Sequence, residues 1–414
     1  MSDELTKLSR NEELKARSRF LRGTLSESLD EQAFGSVSED DGQLIKFHGI
    51  YLQDDRDLRP ERAKRLLDRA YMFMARLRVP GGVLSARQYL MMDKVATERG
   101  NGTLRLTTRQ TIQFHGIIKS NLRAALRGID SVLLDTIAAC GDVNRNVMAV
   151  ANPFASRAHA QAVEMARALS AHFRPRTGAW REIFIGDDLV LGGEPKAEDE
   201  PIYGKTYLPR KFKITVAVPP SNDVDVFAHD LSFIAIVENG EIIGYTVTAG
   251  GGMGATHGDP TTFPRVGDVI GYCPKDQTIA VAEAVLTTQR DFGNRADRKR
   301  ARLKYTIEDR GLPWFIAEVN SRLAVKLEPA RPFHFTGNSD ALGWHTSEDG
   351  LHHLTLFVED GRVKDAGEVR LKSALKAVAS LPGFTDTGAM IMTGNQNIVI
   401  ARATDSERAE IGRV

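Results

Sequence analysis

The stretch TLRLTTRQTIQFHG, residues 103–116, has a counterpart in AMIMTGNQNIVIAR, residues 389–402. Thr107, Gln110 and Ile112 fall opposite Thr393, Gln396 and Ile398 at a constant offset of 286 residues. Both segments place two short strand-like runs around a polar turn, alternating in the first copy and continuously apolar in the second, the pattern of two antiparallel strands. Such a repeat implies a duplicated unit. The copies differ in charge: Arg105 and Arg109 in the first stand where the second has Ile391 and Asn395. Period-two alternation places Arg105, Thr107 and Arg109 on one face, and a guanidinium meets a carboxylate or phosphate with two parallel hydrogen bonds. The first copy is therefore expected to grip an anion, with Gln113 and His115 beside it.

Working outward, each copy shows the same order of elements. In the first, a helix is expected from Pro60 through Arg76, then a short strand and glycine turn over residues 77–83. A second helix is expected from an N-cap at Ser85 to a stop at Gly100. In the second, residues 351–358 read as a strand, Asp360-Gly361 as a turn, residues 370–380 as a helix and residues 389–401 as the strand pair. The polar N-terminal residues, including FHGIYLQDDRD at 47–57, read as an extended arm. Between the copies lie a strand in VMAVANP, an alanine-rich helix at 158–172, strands at 181–187, 211–219 and 233–248 with a turn at Asn239-Gly240, a glycine-rich loop at 250–254 and a helix at 276–289. The expected division is an arm (1–60), a first half-repeat (61–137), an inserted domain (138–338) and a second half-repeat (339–414). The fold class is α+β, a pseudo-twofold ferredoxin-like duplication carrying an inserted mixed α/β domain.

Composition sets limits. The chain has 414 residues, 55 Lys and Arg against 54 Asp and Glu, and a net charge of +1. No global charge draws it to nucleic acid or a membrane surface, so an anion site must be a local concentration of cations. The start, MSDELTKLSRNEELKARSR, lacks the apolar core of a signal peptide, and no apolar run spans a bilayer; the expected compartment is the cytoplasm. Two cysteines, Cys140 and Cys273, are too few for a self-contained cysteine-ligated zinc or iron-sulfur site, and the histidines lack metal-ligand spacing, so no metal ligands are assigned. Local cation clusters do occur. Arg78 precedes a Pro-Gly-Gly turn, Arg145 lies between two asparagines, and Lys211 and Lys213 flank Phe212 on one strand face. Residues 290–304 are rich in Arg and Lys, with Arg298 and Arg302 one helical turn apart if a helix begins near Ala296. A nucleic-acid patch is disfavoured there by the absence of interleaved aromatics.

These motifs together, FHGIYLQDDRD, RLTTRQTIQFHG, DVNRNV, TYLPRKFK, ENGEIIGY, TTQRDFGNRADRK and TGNQN, resemble the siroheme sulfite/nitrite reductase family, on the side of the assimilatory sulfite reductase haemoprotein (beta) subunit. The resemblance implies six-electron reduction of sulfite to sulfide at a siroheme coupled to a [4Fe-4S] cluster, with a flavoprotein subunit passing electrons from NADPH. It implies that Arg78, Arg145, Lys211 and Lys213 bind the oxyanion and deliver protons. It further implies that Arg105, Thr107, Arg109, Gln113, His115 and Arg210, with Asn294, Arg295, Arg298 and Gln396, hold the siroheme. Members of the family carry four cluster cysteines in their C-terminal part, which are absent here. The second copy stops at Val414 before its counterpart of DVNRNV, so the expectation is a chain truncated ahead of a third domain and without independent catalysis. Two alternatives stand: a siroheme nitrite reductase, which the Lys211/Lys213 pair argues against, and a non-catalytic tetrapyrrole- or anion-binding module.

Overall fold

A computed structural model describes residues 7–179 and 200–414, and the strand expected at 181–187 lies outside them. The chain forms two compact units: Met1–Leu21 with Gly141–Thr177 and Glu198–Ser339, and Arg22–Cys140 with Gly178–Ala197 and Asp340–Val414. The described strands come along the chain as three groups of five. The first group is β1 (Ile50–Asp54), β2 (Tyr71–Arg76), β3 (Val83–Ser85), β4 (Leu104–Leu106) and β5 (Ile112–Ile117). The second is β6 (Met148–Ala149), β7 (Ile214–Ala217), β8 (Leu231–Glu238), β9 (Glu241–Ala249) and β10 (Asp268–Pro274). The third is β11 (Gly343–Thr346), β12 (His352–Leu356), β13 (Arg362–Val363), β14 (Ala389–Met392) and β15 (Ile398–Ala403).

The first and third groups build two sheets of matching order, β1-β2-β5-β4-β13 and β11-β12-β15-β14-β3. The duplication is thus visible in the topology, with β5 and β15 beginning at Ile112 and Ile398, 286 residues apart. The last strand of each sheet is exchanged. β3 leaves the first repeat to pair with β14, and β13 leaves the second to pair with β4. The crossing points are tight turns at Pro80–Gly82 and Glu359–Gly361. Gly82 has φ +74° and a Cβ there would lie 2.5 Å from Met392 O; Gly361 has φ +65° and a Cβ there would lie 2.4 Å from Leu106 O. Only glycine fits a left-handed backbone pressed against another strand's carbonyl.

Several local expectations change. The helix expected from Pro60 to Arg76 covers only Arg59–Lys64, and Tyr71–Arg76 is a strand instead. Cross-strand partners on both sides of β2 outweigh the local helix start signal. The N-terminal segment is divided: Ile50–Asp54 is the edge strand of the first sheet, whereas the helix Arg10–Arg17 belongs to the other unit. Ser85 does cap the helix Ala86–Arg99, in a capping box with Gln88. The last helix, Asp405–Ile411, is capped by Thr404 in a capping box with Glu407.

The other unit is built on the sheet β10-β9-β8-β7-β6. β6, β7 and β8 run parallel, while β8, β9 and β10 are antiparallel, with a hairpin turn at Asn239-Gly240. Its inner face packs Met148, Ala217, Val224, Val226 and Ile234 against Phe227, Phe333 and Phe335. The helices Arg157–His172 and Thr278–Phe292 lie against the sheet. Among the described residues no helix is long and apolar enough to cross a membrane.

Candidate functional site

In the unit holding β6–β10, Phe212 pairs with Asn144 as a parallel bridge just before β7 and is fully buried. That bridge brings together two motifs, since Arg145 N donates to Phe212 O at 2.9 Å. Lys211 and Lys213 flank Phe212 and are half-buried. Arg145 is steered by its own loop, with Nε and Nη2 donating to Gly141 O at 3.3 and 3.2 Å. Burial, followed by the charges of Arg145, Arg302 and Arg210, pushes the Lys211 pKa down to about 7. Asp230 opposes the shift without cancelling it. The Arg210 guanidinium is likewise pushed down, by burial and then Arg298.

Two buried carboxylates hold this cationic ground in place. Asp142 receives Arg298 on both oxygens at 2.7 and 2.9 Å, with Lys15 at 3.6 Å and Arg210 at 3.9 Å. Burial alone would raise the Asp142 pKa, but Lys15, Arg298 and Arg210 outweigh it and keep the acid ionised. Asp230, fully buried, takes Arg302 through Nε at 3.0 Å and Nη2 at 2.8 and 2.9 Å. Lys15 arrives from the N-terminal helix, donating to Leu208 O at 2.7 Å and to Glu12 at 2.5 Å.

The basic stretch is organised differently from expectation. Residues Arg298–Arg300 form a 3-10 turn and the α-helix starts at Leu303, because Asp297 caps the turn by accepting from Lys299 N. Arg298 is committed to Asp142. Arg295 pairs with Glu12 and donates to Tyr207 O and Arg290 O at 2.7 and 2.9 Å. Asn294 Oδ1 accepts from the main chain of Ala296 and Asp297. These three groups are used within the unit to shape it.

In the duplicated unit, β4 ends at Leu106, so Arg105, Thr107 and Arg109 do not share a strand face. Thr107 to Thr111 form a closed turn: Thr107 N donates to Thr111 O at 2.9 Å, Gln110 N to Thr107 O at 3.1 Å, and Thr107 Oγ1 accepts from Arg109 N at 3.2 Å. Gln110 takes φ +50° and Arg109 is buried inside the turn region. Arg105 instead faces its cross-strand partners Gln113 and Arg362. Gln113 stands between Arg76 and His115, accepting from Arg76 Nε at 3.0 Å and donating to His115 Nε2 at 3.3 Å. Burial, then Arg362, Arg105 and Arg76, pushes the His115 pKa down to about 4, so the ring is neutral and its Nε2 can accept. Arg78 is clamped by Asp135, with Nε to Oδ1 at 3.0 Å and Nη2 to Oδ2 at 2.6 Å. Gln396 Nε2 donates to Leu106 O at 3.0 Å and Asp360 O at 3.4 Å, both in the main chain.

Reading the sequence missed Arg76, Arg362, Asp135, Asp142, Asp230 and Lys15. The one available signal was for Arg362: it follows a glycine turn as Val83 does in the first copy.

The donor set fits a polycarboxylate. Lys211 sits among guanidiniums at a cost in its own proton affinity, a cost that a bound anion removes. A cysteine-ligated cluster fits poorly. The sequence has two cysteines, both buried, and burial pushes the Cys273 thiol up to about 12, far from the thiolate a metal needs.

Residues 65–132 match the family model described as the nitrite/sulfite reductase ferredoxin-like half domain, and residues 164–327 match the nitrite and sulphite reductase 4Fe-4S domain. Cys273 is the only cysteine within the second match. The chain is 56% identical over 409 residues to a "Sulfite reductase (NADPH) hemoprotein beta-component" of Methylobacterium sp. (strain 4-46), covering 98% of this chain and 67% of that protein. It is 52% identical to the protein of the same name from Chromohalobacter salexigens, covering 97% and 70%. The chain spans about two thirds of the length of the curated relatives it matches. The solved structure of the Mycobacterium tuberculosis NirA protein has the same fold, with a TM-score of 0.74, 24% identity and coverage of 98% of this chain and 68% of that one. The two family-model matches and the identity across nearly the whole chain establish that it belongs to the nitrite and sulfite reductase family.

Proposed function

We propose that this chain supplies the siroheme- and sulfite-binding part of a cytoplasmic, NADPH-dependent sulfite reductase haemoprotein that takes electrons from a flavoprotein partner. The observation that carries this reading is Lys211, half-buried among Arg145, Arg210 and Arg302, with its pKa lowered to about 7. Reduction of hydrogen sulfite to hydrosulfide consumes six electrons and six protons and releases three waters. An ammonium that can give up its proton near neutral pH suits that demand. Arg145 and Arg210 stabilise the oxyanion, and Lys213 adds a second ammonium on the other side of Phe212.

Siroheme, when bound, supplies the iron at which sulfur is reduced and presents eight carboxylates to the protein. Arg105, Arg109 and Gln113 would hold those carboxylates, and His115, being neutral, would offer a hydrogen bond rather than a charge. Arg295, Arg298, Asn294 and Gln396 act one step removed, by fixing the loops and strands that carry these groups. A [4Fe-4S] cluster needs four thiolates and the chain has two cysteines, so no electron-transfer step is assigned to its own residues.

The test is reconstitution of the 414-residue chain with siroheme, followed by its visible spectrum and the spectral response to sulfite. A stoichiometric complex that responds to sulfite, and a Lys211→Ala variant that binds siroheme but loses the sulfite response, are expected. Absence of siroheme binding overturns the reading.

A further inference from the structure

Four residues occupy one line across the first sheet. Arg76 on β2 is in register with Gln113 on β5, Gln113 with Arg105 on β4, and Arg105 with Arg362 on β13. Directly opposed residues on antiparallel strands project from the same face, and four strands at about 4.8 Å spacing make a row roughly 14 Å long. All four side chains are half-buried. Among the described residues no carboxylate pairs with Arg76, Arg105 or Arg362. Arg105 and Arg362 are direct cross-strand neighbours, a like-charge arrangement that costs stability.

The architecture does not require this charge. In the sister sheet the corresponding line runs Thr355, Val399, Ile391 and Val83. It is uncharged, and its first three members are buried. The charged row also depends on strand exchange, because Arg362 belongs to the second repeat and reaches Arg105 only through β13.

We propose that Arg362 and Arg76 extend the anion grip of Arg105 into a guanidinium row that selects ligands with several adjacent peripheral carboxylates over tetrapyrroles with two. This rests on the tetrapyrrole reading above and deepens it: the row is the specificity element, and the second repeat contributes through β13. Each guanidinium meets one carboxylate in a charge-assisted, two-pronged contact. A dicarboxylate ligand leaves at least one of the three guanidiniums unsatisfied.

The experiment titrates the full 414-residue chain with an octacarboxylate porphyrin (uroporphyrin) and a dicarboxylate porphyrin (protoporphyrin), read by fluorescence quenching. The unsubstituted chain should prefer the octacarboxylate. Arg362→Gln and Arg76→Gln should each weaken it by roughly tenfold while changing the dicarboxylate by less than about twofold. If Arg105→Gln weakens binding and the other two do not, the row is refuted and the tetrapyrrole reading stands; if the unsubstituted chain binds neither porphyrin, both fall. A separate readout uses the ligand-free protein: the His115 titration, near 4, should move toward its ordinary value in Arg362→Gln and stay low in Arg362→Lys. An unmoved His115 in Arg362→Gln refutes the shared face.

Discussion

Gln396 donates its side-chain N–H to the main-chain oxygen of Leu106, 3.0 Å away, although 290 residues separate them. Leu106 ends β4 in the first repeat and Gln396 lies in the turn between β14 and β15 in the second. The contact therefore ties the two copies of one motif together. Gly361 lies beneath it, between Leu106 O and the Gln396 side chain.

That crowding makes Gly361→Ala strongly destabilising. The left-handed φ of +65° costs a non-glycine residue roughly 1–3 kcal/mol, and the new Cβ would sit 2.4 Å from Leu106 O, forcing β13 away from β4. Denaturant unfolding should show a loss of at least that size. Gly42→Ala, with no atom within 4 Å of the added carbon, should be neutral or slightly stabilising.

Asp142→Asn should cost about 3–5 kcal/mol, because it leaves Lys15 and Arg298 partly uncompensated in a buried setting. The exposed Arg65–Glu61 pair provides the contrast, and breaking it should cost well under 1 kcal/mol. The Asp142 pKa is lowered in the folded state. Its contribution is therefore present above the ordinary carboxylate range and lost as pH falls through the lower folded value. Acid unfolding of the Asn variant should lose that part of its pH dependence.

Lys211 titrates the other way. Its folded pKa of about 7 lies below the ordinary 10.5, so between those values the unfolded chain binds more protons and stability rises with pH. Below about 7 the penalty is complete, and above 10.5 it is gone. Lys211→Met should flatten that rise, seen as a smaller gain in Tm between pH 7 and pH 10.

Anion binding should reverse the Lys211 shift and draw a proton from solution. Titration calorimetry with sulfite at pH 8, in buffers of different ionisation enthalpy, should report uptake of up to one proton by the siroheme-loaded chain. Lys211→Met should abolish it. Proton uptake that persists in the variant would assign the titrating group elsewhere.

Sequence alone determined the duplication, since a constant 286-residue offset survives in side-chain type, and it located Arg105, Gln113 and His115 on strands. Period-two alternation and turn residues are local signals, readable wherever one strand face is buried. The same logic failed at Tyr71–Arg76 and at Thr107, where partner strands and a hydrogen-bonded turn override local pattern. Strand exchange was invisible, because Val83 and Arg362 reveal their partners only once Gly82 and Gly361 have carried the chain into the opposite sheet. The charge state of the cations was equally a tertiary matter. Arg298 and Lys211 look alike as basic residues, but Asp142 neutralises the first and burial among Arg145, Arg302 and Arg210 lowers the proton affinity of the second. Apart from the adjacent Arg210, those partners lie 66 to 156 residues away, and a Coulomb interaction depends on distance in space, not along the chain.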